Sequence, residues 1–205
     1  MFDCHKPLFF HIDSKTKRWL SGELRLTKKP DGKSRESDRL DVGVLKLRSP
    51  GLPPYPQVDK YALPISDLKA SALPRERKVY LVLGFPGSKS QPHLVRRDVT
   101  SESHGFWNTS AQTQRYAETG VSPDSHIVIT FDRRTRALGL NGEVRTFPKP
   151  VGMSGSPVWL LYDEIGPNDP IRTPIVGILI EYRKSHHVMI ATDIGVALKM
   201  IDEVF

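Results

Sequence analysis

Between Leu8 and Ala191 the apolar residues fall in short runs bounded by glycine, proline and polar clusters, with almost no helical spacing among them. Leu8–Ile12, Gly22–Thr27, Val42–Leu47, Val79–Leu83, Ile127–Phe131, Ser156–Leu161, Ile175–Tyr182 and Val188–Ala191 each have the length and composition of a strand. The breaks between them carry turn chemistry, as at Pro30-Asp31-Gly32 and Gly84-Phe85-Pro86-Gly87, and Pro50–Pro56 reads as a connector. Only from Ile194 does the period change, with Ile194, Val196, Ala197, Met200, Ile201 and Val204 able to share one face of a terminal helix. Many short strands followed by one late helix predict an all-β barrel or sandwich.

The chain has 205 residues, enough to bury a core in one or two compact domains. Its net charge of +7 is scattered over separate pairs, Arg96-Arg97, Arg133-Arg134 and Arg183-Lys184, with acidic residues between them. A solvated surface accounts for that pattern, and nucleic-acid binding is not expected, because it calls for basic residues gathered on one face. Cys4 is the single cysteine, so no internal disulfide can form and a reducing, cytoplasmic setting is expected. No apolar run approaches the ~20 residues of a membrane-crossing helix, and Met1–Asp13 lacks the regions of a signal peptide. No membrane partner is expected.

The chemistry lies in Val151-Gly152-Met153-Ser154-Gly155-Ser156-Pro157-Val158-Trp159. A serine hydroxyl is a weak nucleophile and needs a base beside it and donors for the oxyanion that develops. Glycines on both sides of Ser154 let the backbone turn tightly and aim the N–H groups of Gly152 and Ser154 into one hollow. Ser156 is the competing serine, but it adjoins Pro157 at a strand entrance and lacks the glycine bracket.

Gly152–Pro157 resembles the GDSGGP element of trypsin/chymotrypsin-like serine proteases, in the GxSG[GS]P form of bacterial members. Val176-Gly177-Ile178-Leu179-Ile180-Glu181-Tyr182 looks like the strand that follows the nucleophile there, and Ala191-Thr192-Asp193-Ile194 leads into a C-terminal helix as in that family. The resemblance implies a chymotrypsin-like double β-barrel, a hydrolase that performs proteolysis through an acyl-enzyme at Ser154, and no cofactor. Metal binding by Cys4, His5 and His11 is not expected, because no second cluster completes four ligands. It also implies that the edge at Ile180, Glu181 and Tyr182 pairs with the backbone of a protein or peptide substrate. Two residues depart from the pattern. Met153 stands where digestive members carry an acid that pairs with a newly released N-terminus, so that activation switch is closed to this chain. Ser156 replaces the second glycine and needs extra room.

Arg39-Leu40-Asp41-Val42-Gly43-Val44-Leu45-Lys46-Leu47 resembles the family's aspartate element, which makes Asp41 the group that orients a histidine. Asp38 is the alternative, without an apolar strand directly behind it. A histidine in an Ala-Ala-His element is missing. His5 and His11 precede Asp41, but His11 lies within a strand and His5 follows Asp3-Cys4. Met1-Phe2-Asp3-Cys4 resembles instead the residues just after the family's catalytic histidine, which places that histidine before Met1. The expected organisation is therefore a partial first barrel over 1–72 carrying Asp41, and a second barrel with the terminal helix over 73–205. Strand edges left open in the first barrel predict self-association. The position of the specificity-pocket floor falls on Pro148, next to Lys149 and Pro150, so no preference for basic residues is expected. Without a base, the same fold would be an inactive peptide-binding module.

Overall fold

The computed structural model describes residues 9–11, 17–19, 22–28, 32–33, 37–47, 63–93, 98–132, 136–138, 144–162 and 173–204. Cys4, His5, the Pro50–Pro56 connector, Arg96-Arg97 and Arg133-Arg134 lie outside them, as does the side chain of His11. The chain is mostly β and separates into two compact units, one formed by residues 1–66 and 197–205 and the other by 67–196.

In the first unit β1 (Phe9–His11) pairs antiparallel with β2 (Lys17–Trp19), and β3 (Gly22–Leu26) with β4 (Gly43–Leu47). The β3–β4 pair is closed by a buried clasp. Thr27 Oγ1 donates to Asp38 at 2.5 Å and accepts from the Val42 N–H at 3.1 Å, while Leu40 N–H donates to the same carboxylate at 3.0 Å. Asp38, within a polar run that reads as a surface turn, is thus buried, because three hydrogen-bonding groups converge on its carboxylate and on Thr27.

The second unit contains β5 (Val79–Gly84), β6 (Ser90–His93), β7 (Asp98–Ser101), β8 (His104–Thr109), α1 (Thr113–Thr119), β9 (His126–Thr130), β10 (Arg136–Leu138), β11 (Val144–Thr146), β12 (Pro157–Tyr162), β13 (Ile175–Arg183) and β14 (Val188–Asp193). Six strands form one curled, half-barrel sheet in the order β8-β5-β12-β13-β14-β9, every neighbour antiparallel. Its two outer strands meet beyond β8, through the bridge Ser110–Ile129 and the bond from Ala111 N–H to Val128 O at 2.7 Å. The pairs β6–β7 and β10–β11 are separate hairpins.

Strand alternation sorts the side chains. Tyr80 and Val82 of β5, Phe106 of β8, Ile127 and Ile129 of β9, and Met189 and Ala191 of β14 point into the concave face. There Phe106, Phe131 and Phe147 meet with ring centroids 4.7–5.8 Å apart at tilted and edge-on angles, the arrangement aromatic quadrupoles favour. The opposite face of β9 and β14 is covered by α1, whose Tyr116 packs among Ala111, Val128, Val188 and Ile190 and accepts the Val128 N–H at 3.1 Å.

The terminal helix α2 (Ile194–Val204) forms where its apolar spacing predicts. Asp193 caps it, accepting the Gly195 N–H at 2.8 Å, and its other oxygen receives Arg75 Nη2 at 2.6 Å and the Ser71 N–H at 3.1 Å. The ion pair is almost wholly buried. Ser71 Oγ also bonds Tyr80 Oη at 3.0 Å. Burial pushes the Tyr80 phenol up to about 12, because the phenolate would lose its hydration inside the sheet.

Candidate active site

The loop from Pro150 to Ser156 is fixed at both ends by backbone hydrogen bonds. On one flank the Gly87 N–H donates to Val151 O at 2.8 Å. On the other, Gly155 N–H donates to Leu179 O at 2.7 Å and Leu179 N–H to Ser156 O at 2.8 Å, which ties the loop to β13. Gly152 and Gly155 both sit at positive φ, +87° and +90°. A Cβ at Gly152 would also come within 3.0 Å of the Gly87 nitrogen. Glycine is required there by conformation and by space together.

Not every N–H group along this loop is engaged. Met153 N–H turns back to Pro150 O at 3.2 Å and Ser156 N–H to Met153 O at 3.0 Å. Between and before them, the N–H groups of Gly152 and Ser154 donate to nothing among the described residues, and both residues are exposed. Ser154 Oγ donates to Ile180 O at 2.9 Å. Two unengaged backbone donors therefore lie in the same loop as an accessible serine hydroxyl.

Met153 and Ser156 face the other way. Met153 is 1% exposed within the concave core, so the position taken by an acid in the resembling family is filled here by an apolar side chain. Ser156 is buried, and its extra atoms fit because residue 84 is glycine. A Cβ at Gly84 would stand 2.0 Å from Ser156 Oγ and 3.1 Å from Met153 Cε. The room that Ser156 needs thus comes from the facing strand β5 rather than from the loop's own backbone. The sequence shows Gly84 only as the end of a strand; its position opposite a serine in the second-glycine place is the signal that reveals this partnership.

Strand β13 changes character beside the serine. β12 pairs with it only as far as Ile178, and the β13–β14 register shifts between Leu179 and Glu181. Ile180 thus sits in the irregularity, its carbonyl turned to Ser154 and its side chain against the cluster around Tyr116. Glu181 is exposed and paired with Arg183 Nε at 2.9 Å. The Tyr182 ring stands edge-on to Phe131, centroids 5.1 Å apart. At the floor position Pro148 is half-buried, Lys149 exposed and Pro150 buried, and residues 144–157 contain no carboxylate.

Ser154 and Ile180 are thus brought together, with Gly152 two residues away in the same loop and Glu181 and Tyr182 continuing along the same strand. Asp41 belongs to the first unit, where it is exposed at φ 42°. Asp38, nearby, is the buried and hydrogen-bonded carboxylate. The histidines whose side chains are described have other neighbours. His104 lies edge-on to Phe147, His126 is buried with Nδ1 2.9 Å from Ser125 Oγ, and His186 Nδ1 is 2.9 Å from Ser185 Oγ. Among the described residues no group of three His, Cys, Asp or Glu side chains could hold a metal ion. No described helix is long and apolar enough to cross a membrane. No protein-family model matches this sequence and no curated protein matches it.

Proposed function

We propose that this chain is a serine endopeptidase of the trypsin/chymotrypsin-like type, a cytoplasmic enzyme built on a double β-barrel. The observation that carries the reading is the pair of open N–H groups at Gly152 and Ser154 around the exposed Ser154 hydroxyl. The antiparallel curled sheet, with the loop between β11 and β12 anchored on β13, supports it.

In this reaction Ser154 Oγ leaves its bond to Ile180 O and attacks the scissile carbonyl carbon, and a histidine base takes its proton. The oxyanion is held by the N–H groups of Gly152 and Ser154. Collapse breaks the C–N bond, the histidine returns the proton to the departing amine, and water then hydrolyses the ester at Ser154. Asp41 orients the histidine. The edge of β13 at Ile180, Glu181 and Tyr182 holds the acyl half of the substrate. An apolar or small residue precedes the cut, since Pro148 offers no negative floor and Glu181 is engaged by Arg183.

One observation favours a second reading, a catalytically inactive peptide-binding module. Ser154 Oγ is committed to a backbone carbonyl, and no described histidine hydrogen-bonds to it. A fluorophosphonate probe separates the two. The enzyme reading expects labelling at Ser154 that Ser154→Ala abolishes and Ser156→Ala preserves. Labelling of Ser156, or none at all in a chain extended upstream in frame, overturns it. If His5→Ala or His11→Ala abolishes labelling, that histidine is the base and the placement of the base ahead of Met1 is wrong.

A further inference from the structure

The outer face of β5 and β8 carries an apolar strip that nothing in the described structure covers. Tyr80 and Val82 point inward, so Leu81, Leu83 and, past the strand end, Phe85 fall on the convex side. On β8 the outward positions are Gly105 and Trp107, with Leu81 opposite Trp107 and Leu83 opposite Gly105. Leu83, Phe85 and Trp107 are 43%, 55% and 50% exposed, and Val151 of the serine loop is 65% exposed. A single exposed leucine is ordinary on a folded surface, but Leu83 and Trp107 on one sheet face, with Phe85 and Val151 exposed on the two bonded loops at its end, mark a binding face.

The strip has shape and direction. A Cβ at Gly105 would lie 3.4 Å from Leu81 Cδ1 and 3.8 Å from Leu83 Cδ1, so bare backbone there leaves a notch beside Trp107 and the two leucines. At the other end, Phe85 and Val151 lie on the two segments joined by the Gly87 N–H to Val151 O bond. The strip therefore runs into the serine loop next to the open N–H of Gly152. It enters on the flank opposite the bonds that tie Gly155 and Ser156 to β13. Alternate side chains of an extended peptide repeat about every 7 Å on one face, the same repeat that separates Leu83 from Phe85. Residues 84–91 hold no acid, and Lys89 and Lys149 are exposed at the edges, which disfavours basic peptides.

Resting on the serine reading above, we propose that Val151, Phe85 and the notch over Gly105 bind the leaving-group half of an extended protein substrate. They select large apolar residues at alternate positions, the distal one seated between Trp107 and Leu83.

The test uses two fluorescein-labelled twelve-residue peptides with identical N-terminal halves, whose C-terminal halves carry leucine or serine at alternate positions. Fluorescence anisotropy on the full chain should show at least about tenfold tighter binding of the leucine peptide, the scale of burying one or two such side chains. Phe85→Ser and Trp107→Ser should each cut that preference severalfold. Gly105→Leu, which fills the notch without removing any apolar group, should do the same, with circular dichroism confirming that each variant is folded. Equal affinity for the two peptides, or a preference unchanged in all three variants, overturns the proposal. So does a dimer on size-exclusion chromatography that Trp107→Ser dissolves, since a second copy then covers the strip. If the preference holds but Ser154 is never labelled, the enzyme reading falls and the strip stands as a peptide-binding surface. If Ser154 is labelled without any preference, the strip falls alone.

Discussion

Replacing Gly84 by alanine tests whether strand β5 and the serine loop are fitted to one another. The new Cβ would stand 2.0 Å from Ser156 Oγ, 3.0 Å from Ser156 Cβ and 3.1 Å from Met153 Cε. Rotation of Ser156 about χ1 can relieve the first contact, and the flexible end of Met153 can yield a little. The contact with Ser156 Cβ remains, because both backbones are held, one by β5–β12 pairing and the other by the Leu179 N–H to Ser156 O bond. Overpacking of this kind costs about 1–3 kcal/mol, and the fixed backbones favour the upper half of that range. For a chain of this size that is a fall in Tm of about 5–10 °C. Adding Ser156→Gly removes both serine atoms and should recover more than half of the loss, so a double-mutant cycle in urea should give a coupling of about 1–2 kcal/mol. Strictly additive effects, or a Gly84→Ala variant within about 0.5 kcal/mol of the parent, would refute the argument.

Arg75→Met should destabilise the chain by about 3–5 kcal/mol in chemical denaturation, because it strands the buried Asp193 carboxylate; the Arg75→Met, Asp193→Asn pair should be milder than the sum of its parts. The raised Tyr80 phenol stays protonated in the folded chain when its unfolded counterpart has ionised, so stability present below pH 10 should be lost between pH 10 and about 12. That loss runs at about 1.4 kcal/mol per pH unit, and Tyr80→Phe should remove the slope. With one cysteine in the chain, thermal melts of the monomer with and without dithiothreitol should coincide, and a shift of several degrees would reveal a Cys4 bridge between chains. Gly152→Ala should depress fluorophosphonate labelling of Ser154 by tenfold or more, since the Cβ forces the loop off its positive φ and away from Gly87.

The strands that form the concave sheet were legible where burial was strong on at least one face. β9, β12, β13 and β14 read directly from Ile127, Val158, Val176 and Met189 and their neighbours. β8 was not, because His104-Gly105-Phe106-Trp107-Asn108-Thr109 buries Phe106 alone and carries two poor strand formers. α1 was equally silent: its helix of Thr113–Thr119 buries only Tyr116 and Thr119, too few positions for a helical stripe. At the site, the glycine bracket of Ser154 could be read because glycine at positive φ has a conformational signature in sequence. The contest between Asp38 and Asp41 could not be weighed in the same way. Asp38 is drawn inside by Thr27, eleven residues away and across a turn, and no local pattern announces such a partner.

A serine loop shaped by an ion pair holds its form only while both partners are charged, and its geometry can be titrated or screened away. Met153 anchors this loop by fitting a thioether into the aromatic and aliphatic interior, where there is no proton to gain and no charge for salt to mask. The donor pair at Gly152 and Ser154 should therefore keep its spacing across every pH and ionic strength at which the sheet stays folded. Any pH dependence in the reactivity of Ser154 then reports the groups that move its proton, not the loop that presents it.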